Sequence, residues 1–284
     1  MKQIVVISGK GGTGKTMISA SLAALSKNKV IVDCDVDASN LYLLLRPITI
    51  TTNKFFSGKT ASIDNKNCIQ CNKCIEVCRF SAINKDFIVD PISCEGCGIC
   101  YYLCPSKAIK MEENLSGKWF VSDTKYGPFV HAKLGIASEN SGKLVSVIRQ
   151  KSIQIAEEQF KDYIIIDGPP GIGCPVIASI TNVDLALIVT EPTLSGIHDM
   201  IRVADVAKHF NININVVINK YDINLINTNK IKDFCELNKI KLIAQLPFSE
   251  DVNSSIIKQV PLVEFSKSSK ISKDIINLWN NIKQ

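Results

Sequence analysis

One stretch near the start of this 284-residue chain decides its fold: Gly9-Lys10-Gly11-Gly12-Thr13-Gly14-Lys15-Thr16. It follows the pattern G-x-x-x-x-G-K-[ST], directly after the apolar run Gln3–Ser8 and before a stretch that predicts a helix from about Lys15. The backbone N–H groups of such a loop turn towards one centre, and the N-terminus of the next helix adds a dipole that attracts anions. The stretch therefore predicts a phosphate-binding loop between a buried strand and a helix.

The residues of this loop have distinct predicted roles toward a nucleotide. Lys15 is expected to reach the β- and γ-phosphates, and the hydroxyl of Thr16 is expected to bind Mg²⁺. The residues predicted to contact the bound nucleotide here are Gly11, Gly12, Thr13, Gly14, Lys15 and Thr16. The expected cofactors of this loop are therefore a nucleotide and Mg²⁺.

Further along the chain, short apolar runs rich in β-branched residues alternate with helical stretches. The predicted strands are Lys29–Asp33, Tyr163–Asp167, Leu185–Thr190, Asn215–Asn219 and Lys241–Gln245. The predicted helices are Lys143–Gln159, Leu194–Phe210 and Leu225–Asn238. This alternation predicts an α/β fold of the P-loop NTPase type, with a mostly parallel sheet and helices on both faces.

Composition narrows the class of protein. The chain is 46% hydrophobic and 21% charged, which is typical of a globular protein, and it has no apolar run near the ~20 residues needed to span a bilayer. We therefore expect no transmembrane segment and a cytoplasmic location. The net charge of +6 is dispersed along the chain, so there is no strong signal for nucleic-acid binding.

Cysteine is the unusual component, because eight of the 11 cysteines lie between Cys68 and Cys104. They form the spacing C-x2-C-x2-C-x3-C twice, and the second run repeats the first 26 positions later. Asp64 recurs in the same way as Asp90. The segment resembles a bacterial ferredoxin with two [4Fe–4S] clusters, in which the fourth cysteine of each run ligates the other cluster. A zinc ribbon is the structural alternative, although it usually spaces its cysteine pairs further apart.

This pairing rule assigns four cysteines to each cluster. The first cluster takes Cys68, Cys71, Cys74 and Cys104, and the second takes Cys78, Cys94, Cys97 and Cys100. The predicted domains are a discontinuous ATPase domain, 1–61 and 112–284, and a small inserted α+β ferredoxin-like domain, 62–111. A hairpin around Tyr126 is expected to return the chain to the main fold within Lys118–Leu134.

Carboxylates follow two of the predicted strands. Asp33, Asp35 and Asp37 come at the end of the second strand, and Asp167 ends the strand that leads into the loop Gly168-Pro169-Pro170-Gly171. Ligands of parallel α/β sheets bind at the carboxyl ends of the strands. Carboxylates at this edge can hold Mg²⁺ through water or orient an attacking water, and we expect Asp167 to bind Mg²⁺ in this way.

The additional lysine makes the loop K-G-G-T-G-K-T, which resembles the variant that marks the MinD/ParA family of P-loop ATPases. Nearly the whole chain is similar to a MinD-type, Mrp-like ATPase with an inserted ferredoxin domain. The resemblance implies ATP as the nucleotide and a nucleotide-dependent homodimer in which Lys10 acts on the partner's nucleotide. It also implies that Asp35 positions the hydrolytic water, with Asp37 nearby, and that Gly171 belongs to a switch loop that senses the γ-phosphate.

The same resemblance extends to two further regions. Asn219 is expected to bind the adenine, with the backbone near Pro247 closing over it, although the sequence Asn-Lys-x-Asp also resembles the guanine motif of GTPases. The nitrogenase iron protein, a relative within this superfamily, has a cluster-binding cysteine in the corresponding switch region. Cys174 is therefore an interfacial ligand, an electron-relay neighbour of the insert, or a small packed residue at a helix start, and packing is the interpretation that we favour.

The predicted C-terminal helix has an apolar stripe that includes Ile271, Ile275, Leu278 and Ile282. MinD uses such a helix at membranes, but this spacing favours packing on the body of the fold. The leading functional hypothesis is an ATPase that gates electron transfer through two [4Fe–4S] clusters to an unidentified redox partner. The alternatives are an Mrp-type carrier that delivers a cluster to an accepting protein, and a spatial-organisation ATPase with structural or sensing clusters.

Overall fold

The computed structural model describes residues 1–135 and 140–283. Its strands are β1 (Lys2–Ser8), β2 (Lys29–Asp33), β3 (Ile48–Ile63), β4 (Ile109–Thr124), β5 (Gly127–Leu134), β6 (Tyr163–Pro170), β7 (Leu185–Thr190), β8 (Asn213–Asn219) and β9 (Lys241–Leu246). Its helices are α1 (Lys15–Leu25), α2 (Leu41–Leu45), α3 (Lys73–Glu76), α4 (Ile99–Leu103), α5 (Ser141–Glu158), α6 (Cys174–Ile180), α7 (Leu194–His209), α8 (Leu225–Leu237), α9 (Asp251–Ile257), α10 (Leu262–Phe265) and α11 (Lys270–Lys283). A short 3₁₀ helix covers Tyr221–Ile223.

The strands form one sheet in the order β3-β4-β5-β2-β6-β1-β7-β8-β9. The pairs from β5 through β2, β6, β1, β7 and β8 to β9 are all parallel. Strand β1 lies between β6 and β7, so the loop that follows it opens at the middle of the parallel part. The α/β fold with a mostly parallel sheet is confirmed, and the predicted strands and helices begin and end within three residues of those observed.

The long strand β3 was not predicted from the sequence. Most of its residues are exposed on both faces, and it contains threonine, lysine and asparagine between its isoleucines. Its run of β-branched residues, Ile48-Thr49-Ile50-Thr51-Thr52, is nevertheless a signal for a strand. Apolar–polar alternation fails here because this edge strand has no single buried face.

The chain divides into two compact units. The first contains 1–53, 119–133 and 141–284, and the second contains 54–118 and 134–140. The second unit is therefore wider than the predicted insertion at 62–111. The reason is local packing, because Ala61 on β3 lies outside the predicted bounds and packs in the same apolar cluster as several of the cysteines.

A tight contact joins β3 to the cysteine-rich loop within the second unit. Gly96 has a φ of +63°, and a Cβ at this position would lie 2.1 Å from the carbonyl oxygen of Lys59. Only glycine fits this backbone conformation and this approach. The predicted hairpin is present, but its first strand, β4, begins at Ile109 rather than at Lys118.

The C-terminal helix α11 packs into the core of the first unit. Ile271, Ile275, Leu278 and Ile282 are buried in one cluster with residues of β1, α1 and β7. The ring of Trp279 meets that of Tyr163 edge to face at 5.2 Å. The packing interpretation of the apolar stripe is therefore confirmed. In the part of the chain that the structure describes, no helix has both the length and the apolar character needed to cross a membrane.

Replacing Ile275 tests this packing. Ile275 is fully buried, so we expect Ile275→Ala to lower the free energy of unfolding by about 2–5 kcal/mol through lost burial and the cavity left behind. Asn277 is exposed on the same helix, and Asn277→Ala should change it by less than about 0.5 kcal/mol. Urea unfolding of both variants measures the difference; equal effects would show that α11 is not part of the core.

Candidate functional site

The candidate site lies where the parallel strands end. The phosphate loop connects β1 to α1, and the strands on either side of β1 supply Asp167 on β6 and Glu191 directly after β7. Asp33 ends β2 and Asn219 ends β8. Because these strands are parallel, the loop and the four polar side chains come from the same edge of the sheet.

The phosphate loop is held by Asn219. The side-chain Nδ2 of Asn219 donates to the carbonyl oxygen of Thr13 at 2.9 Å, and its Oδ1 accepts from the backbone N–H of Lys220 at 3.1 Å. Gly14 has a φ of +93°, and a Cβ there would lie 2.5 Å from Asn219 Nδ2. Asn219 therefore contacts the phosphate loop, and its role toward adenine stays a prediction.

The side chain of Asp167 is buried beside α1. Its Oδ1 accepts from the hydroxyl of Ser19 at 2.8 Å. Within the described residues, its Oδ2 has no hydrogen-bond partner, and neither has the buried hydroxyl of Thr13. Burial raises the pKa of Asp167, and the positive charge of Lys15 opposes the shift. An unpartnered, buried carboxylate oxygen near Lys15 fits a site that is completed by Mg²⁺ and its waters.

Asp33 anchors the loop that carries the predicted catalytic carboxylate. Its Oδ2 accepts from the hydroxyl of Ser39 at 2.7 Å and from the N–H of Leu41 at 3.3 Å, and its Oδ1 accepts from the N–H of Asp35 at 3.1 Å. Burial, followed by the neighbouring Asp167, raises the pKa of Asp33. Asp33 therefore has its hydrogen-bonding capacity satisfied within the protein, and its bonds position the segment from 35 to 41.

The other two carboxylates of this segment are more accessible. Asp35 is half-buried, and burial raises its pKa while the charge of Lys15 lowers it. Its side chain accepts from the N–H of Ala38 at 3.3 Å. Asp37 is exposed. The electrostatic influence of Lys15 places Asp35 near the phosphate loop, which suits a residue that orients water beside a phosphate.

Lys10 contacts residues of its own chain. Its Nζ donates to Thr193 Oγ1 at 3.2 Å and to Ser195 Oγ at 3.3 Å, and it lies 3.7 Å from Glu191 Oε2. The other oxygen of Glu191 accepts from Lys220 Nζ at 2.6 Å. Sequence reasoning missed this group. The only sequence signal was that Glu191 follows a buried strand at the edge of the sheet where ligands bind.

The residues expected near the base are joined by Asp222. Its Oδ1 accepts from the backbone N–H of Phe248 at 2.8 Å, which ties the segment after Pro247 to the 3₁₀ helix. Asp222 is the carboxylate of the GTPase-like motif, and it therefore already accepts a hydrogen bond from the protein's own backbone. That contact weakens the guanine interpretation of the motif.

The predicted switch loop follows β6. The backbone N–H of Gly171 donates to the carbonyl oxygen of Ser8 at 2.9 Å, and its φ is +92°. Cys174 begins α6 and is exposed, so the prediction that it is a packed residue is wrong. A Cβ on Gly142 would lie 3.1 Å from the Cβ of Cys174, which shows that the start of α5 lies against it. The other isolated cysteines, Cys34 and Cys235, are buried.

The cysteine-rich unit has an internal two-fold repeat. The N–H of Asp64 donates to the carbonyl of Ala108 at 2.8 Å, and the N–H of Asp90 donates to the carbonyl of Ala82 at 2.7 Å. The two halves of the repeat therefore hydrogen-bond to each other at positions that the 26-residue offset makes equivalent. Left-handed backbone also recurs at the 26-residue offset, at the pairs Gln70 and Gly96, Asn72 and Gly98, and Ser81 and Lys107.

The structure brings cysteines of the two runs to one place in the second unit. One small cavity is lined by Cys94, Cys97 and Cys100 together with Cys78, which comes from the other run. Among the described residues, no three His, Cys, Asp or Glu side chains lie close enough to hold a single metal ion.

These features define a nucleotide-binding protein of the P-loop class with a cysteine-rich second unit. A family model described as the CobQ/CobB/MinD/ParA nucleotide binding domain matches residues 4–262, so the chain belongs to that family. The MinD/ParA part of the sequence interpretation is thereby confirmed.

Three comparisons illustrate the relationship. An uncharacterised protein of Methanocaldococcus jannaschii is 36% identical over 288 residues, covering 99% of this chain and 96% of the relative. The septum site-determining protein MinD complexed with Mg-ADP from Pyrococcus horikoshii has the same fold, with a TM-score of 0.61 and 18% identity, covering 100% of this chain and 96% of that one. The pyruvate synthase subunit PorD of Methanothermobacter marburgensis is 43% identical over 68 residues, which are 23% of this chain and 84% of PorD.

Gly14 provides a test of the phosphate loop. We expect Gly14→Ala to destabilise the nucleotide-free protein and to weaken nucleotide binding at least tenfold, because a Cβ strains the backbone and displaces Asn219. Gly11 has open space at its Cβ position, so Gly11→Ala should leave the thermal midpoint of the nucleotide-free protein nearly unchanged. Calorimetry and fluorescent-nucleotide titration measure both quantities. A Gly14→Ala protein with wild-type values would contradict the contact with Asn219.

Proposed function

We propose that this chain is an iron–sulfur ATPase in which ATP binding and hydrolysis control electron transfer through two [4Fe–4S] clusters to a partner protein. The observation that carries the proposal is the cavity lined by Cys94, Cys97, Cys100 and Cys78. Its four thiols come from both runs, which is the ligand exchange expected of a two-cluster ferredoxin. The local similarity to the pyruvate synthase subunit PorD, a part of a redox enzyme, supports the same conclusion.

The donor set fits clusters better than single ions. A zinc ion draws four sulfur atoms to about 2.3 Å from one centre, so preformed zinc sites have their ligands in close contact. A cubane separates its thiolates more widely, because each sulfur binds a different iron. Four cysteines from both runs that line one cavity therefore agree with a cluster. We assign 54–118 as the inserted cluster-binding unit.

When bound, the clusters would supply reversible one-electron redox chemistry. The chain contributes the environment around them. Backbone N–H groups of Ala82 and Ala108 donate to the sulfur atoms of Cys78 and Cys104 at 3.4 and 3.3 Å. Ala61, Ile83 and Ile109 pack against the cysteines and exclude water from one side. The N–H donors stabilise the negative charge of a bound cluster, and the apolar wall limits solvent access and so influences the reduction potential.

The nucleotide unit would act through residues already in place. Lys15 would hold the β- and γ-phosphates, while Thr16 and the unpartnered oxygen of Asp167 would hold Mg²⁺ and its waters. Asp35 would orient the attacking water. The loop at Gly171 contacts the backbone of β1, so a γ-phosphate beside β1 can change its position.

We further propose that ATP closes a homodimer. As the dimer closes, Lys10 exchanges its contacts within its own chain for a contact with the partner's nucleotide. In the single chain, Lys10 is held by Glu191, Thr193 and Ser195. To reach the partner's nucleotide, Lys10 has to leave these contacts, so they oppose closure. Glu191 keeps its stronger contact with Lys220 and remains ordered when Lys10 departs.

The Glu191 contact gives a measurable prediction. Glu191→Gln keeps a hydrogen-bond acceptor but removes the charge, so we expect the ATP-dependent dimer to form at about fivefold lower protein concentration, the factor for about 1 kcal/mol summed over the two subunits. Sedimentation velocity with ATP measures this. The effect should vanish when Lys10→Ala is also present, as a double-mutant cycle requires for a direct contact. A weaker dimer in Glu191→Gln would refute the restraining role.

The function itself is tested on protein purified without oxygen. We expect about eight irons per chain and EPR signals of reduced clusters, and we expect the reduction potentials to differ between MgATP, MgADP and no nucleotide. A shift of about 59 mV corresponds to a tenfold change in a one-electron equilibrium. Lys15→Ala serves as the control that holds clusters but does not respond to nucleotide. Equal potentials with nucleotide demonstrably bound would contradict gating by potential and favour cluster delivery to another protein.

A further inference from the structure

The two halves of the cysteine-rich unit differ beside the cysteines that cross between clusters. Cys78 and Cys104 occupy equivalent positions, and each accepts one backbone N–H, from Ala82 and from Ala108 respectively. The hydroxyl of Ser106 also lies 3.7 Å from the sulfur of Cys104. Ser106 is two residues after Cys104, so the 26-residue offset places Phe80 at the equivalent position beside Cys78.

Phe80 gives Cys78 a different environment. It lines the cavity that contains Cys78, Cys94 and Cys100, and a phenyl ring offers no hydrogen-bond donor to sulfur. The described part of the chain therefore places two donors on the sulfur of Cys104 and one on that of Cys78.

We propose that Ser106 makes the cluster held by Cys68, Cys71, Cys74 and Cys104 easier to reduce than the cluster held by Cys78, Cys94, Cys97 and Cys100. The inference rests on the proposed clusters and deepens their function, because it sets where an added electron resides. A cluster-bound sulfur can only accept a hydrogen bond, so the Ser106 hydroxyl is the donor. Reduction adds negative charge, and a donor to sulfur stabilises the more negative state.

Burial acts in the same direction. Cys100 is buried, whereas the equivalent Cys74 of the other half is only half-buried. Added negative charge costs more where less water is available to solvate it. The cluster with Cys100 therefore has both the drier environment and the smaller number of donors.

Charged side chains nearby do not reverse this order. Arg79 follows Cys78 directly and by itself favours reduction of that cluster, while Lys107 is three residues after Cys104 and favours reduction of the other. Both side chains are exposed, so water and salt screen each charge. The two charges favour reduction of different clusters, so neither side chain alone sets the order and the direct hydroxyl contact decides it.

The inference is tested by measuring the two reduction potentials in anaerobic protein with EPR at poised potentials. Ser106→Ala should make reduction of the Cys104-bound cluster about tenfold less favourable, which lowers its potential by about 59 mV for one electron. The potential of the Cys78-bound cluster should stay unchanged. Ser106→Thr keeps a hydroxyl and should retain wild-type values. A Ser106→Ala protein in which neither potential moves, or both move equally, would overturn the proposal.

The reciprocal substitution keeps the test decisive if Ser106→Ala binds iron poorly. Phe80→Ser should raise the reduction potential of the Cys78-bound cluster, which Ser106→Ala leaves unchanged. Phe80→Ala opens the same space without adding a donor, so the difference between the Ser and Ala variants measures the hydroxyl alone. Equal potentials in the two Phe80 variants would contradict the role of the hydroxyl.

Iron and sulfide content separate this inference from the function on which it rests. A wild-type chain that holds fewer than two clusters after anaerobic reconstitution would refute the proposed function. A chain with about eight irons and two indistinguishable potentials would refute only the inference about Ser106.

Discussion

The nucleotide unit depends on the position of β1 between two parallel neighbours. Because β6 and β7 pair with β1 on either side, Asp167 and Glu191 are brought to the phosphate loop from opposite directions. The loop itself is closed by the side-chain amide of Asn219, which reaches the carbonyl of Thr13 from the end of β8. A left-handed glycine is required beneath that amide, so backbone geometry and site geometry are linked at Gly14.

The strand order also allows the chain to contain a second unit. Strands β3 and β4 are neighbours at one end of the sheet, so the chain leaves along one and returns along the other. An insertion between adjacent strand ends has little closure entropy to overcome, since the ends already lie close together. The inserted unit is stabilised from within, through backbone hydrogen bonds between its two halves and an apolar cluster that includes several cysteines.

Much of the fold and site was predictable from local pattern. The phosphate loop, the central strands, the buried carboxylate Asp167 and the repeated cysteines are all encoded by residue type and spacing over short distances. Strand β3 was missed because an exposed edge strand has no alternation. The second unit extends beyond the predicted insertion because residues of β3 before 62 pack with the cysteine-rich segment. Cys174 was expected to be packed, yet the start of α6 leaves it exposed, which spacing along the chain does not reveal.

Residue type and spacing alone were enough to predict a phosphate loop in a parallel α/β fold and a twice-repeated cysteine segment. Both features depend on glycines, apolar runs and cysteine spacings within short stretches of the chain. Only the tertiary structure decided which distant groups meet. It joined Lys10 to Glu191, Asp222 to Phe248, and Cys78 to the cysteines of the other run. The physical reason is that such contacts depend on strand order and crossing connections, which place residues far apart in the chain within a few ångströms of each other.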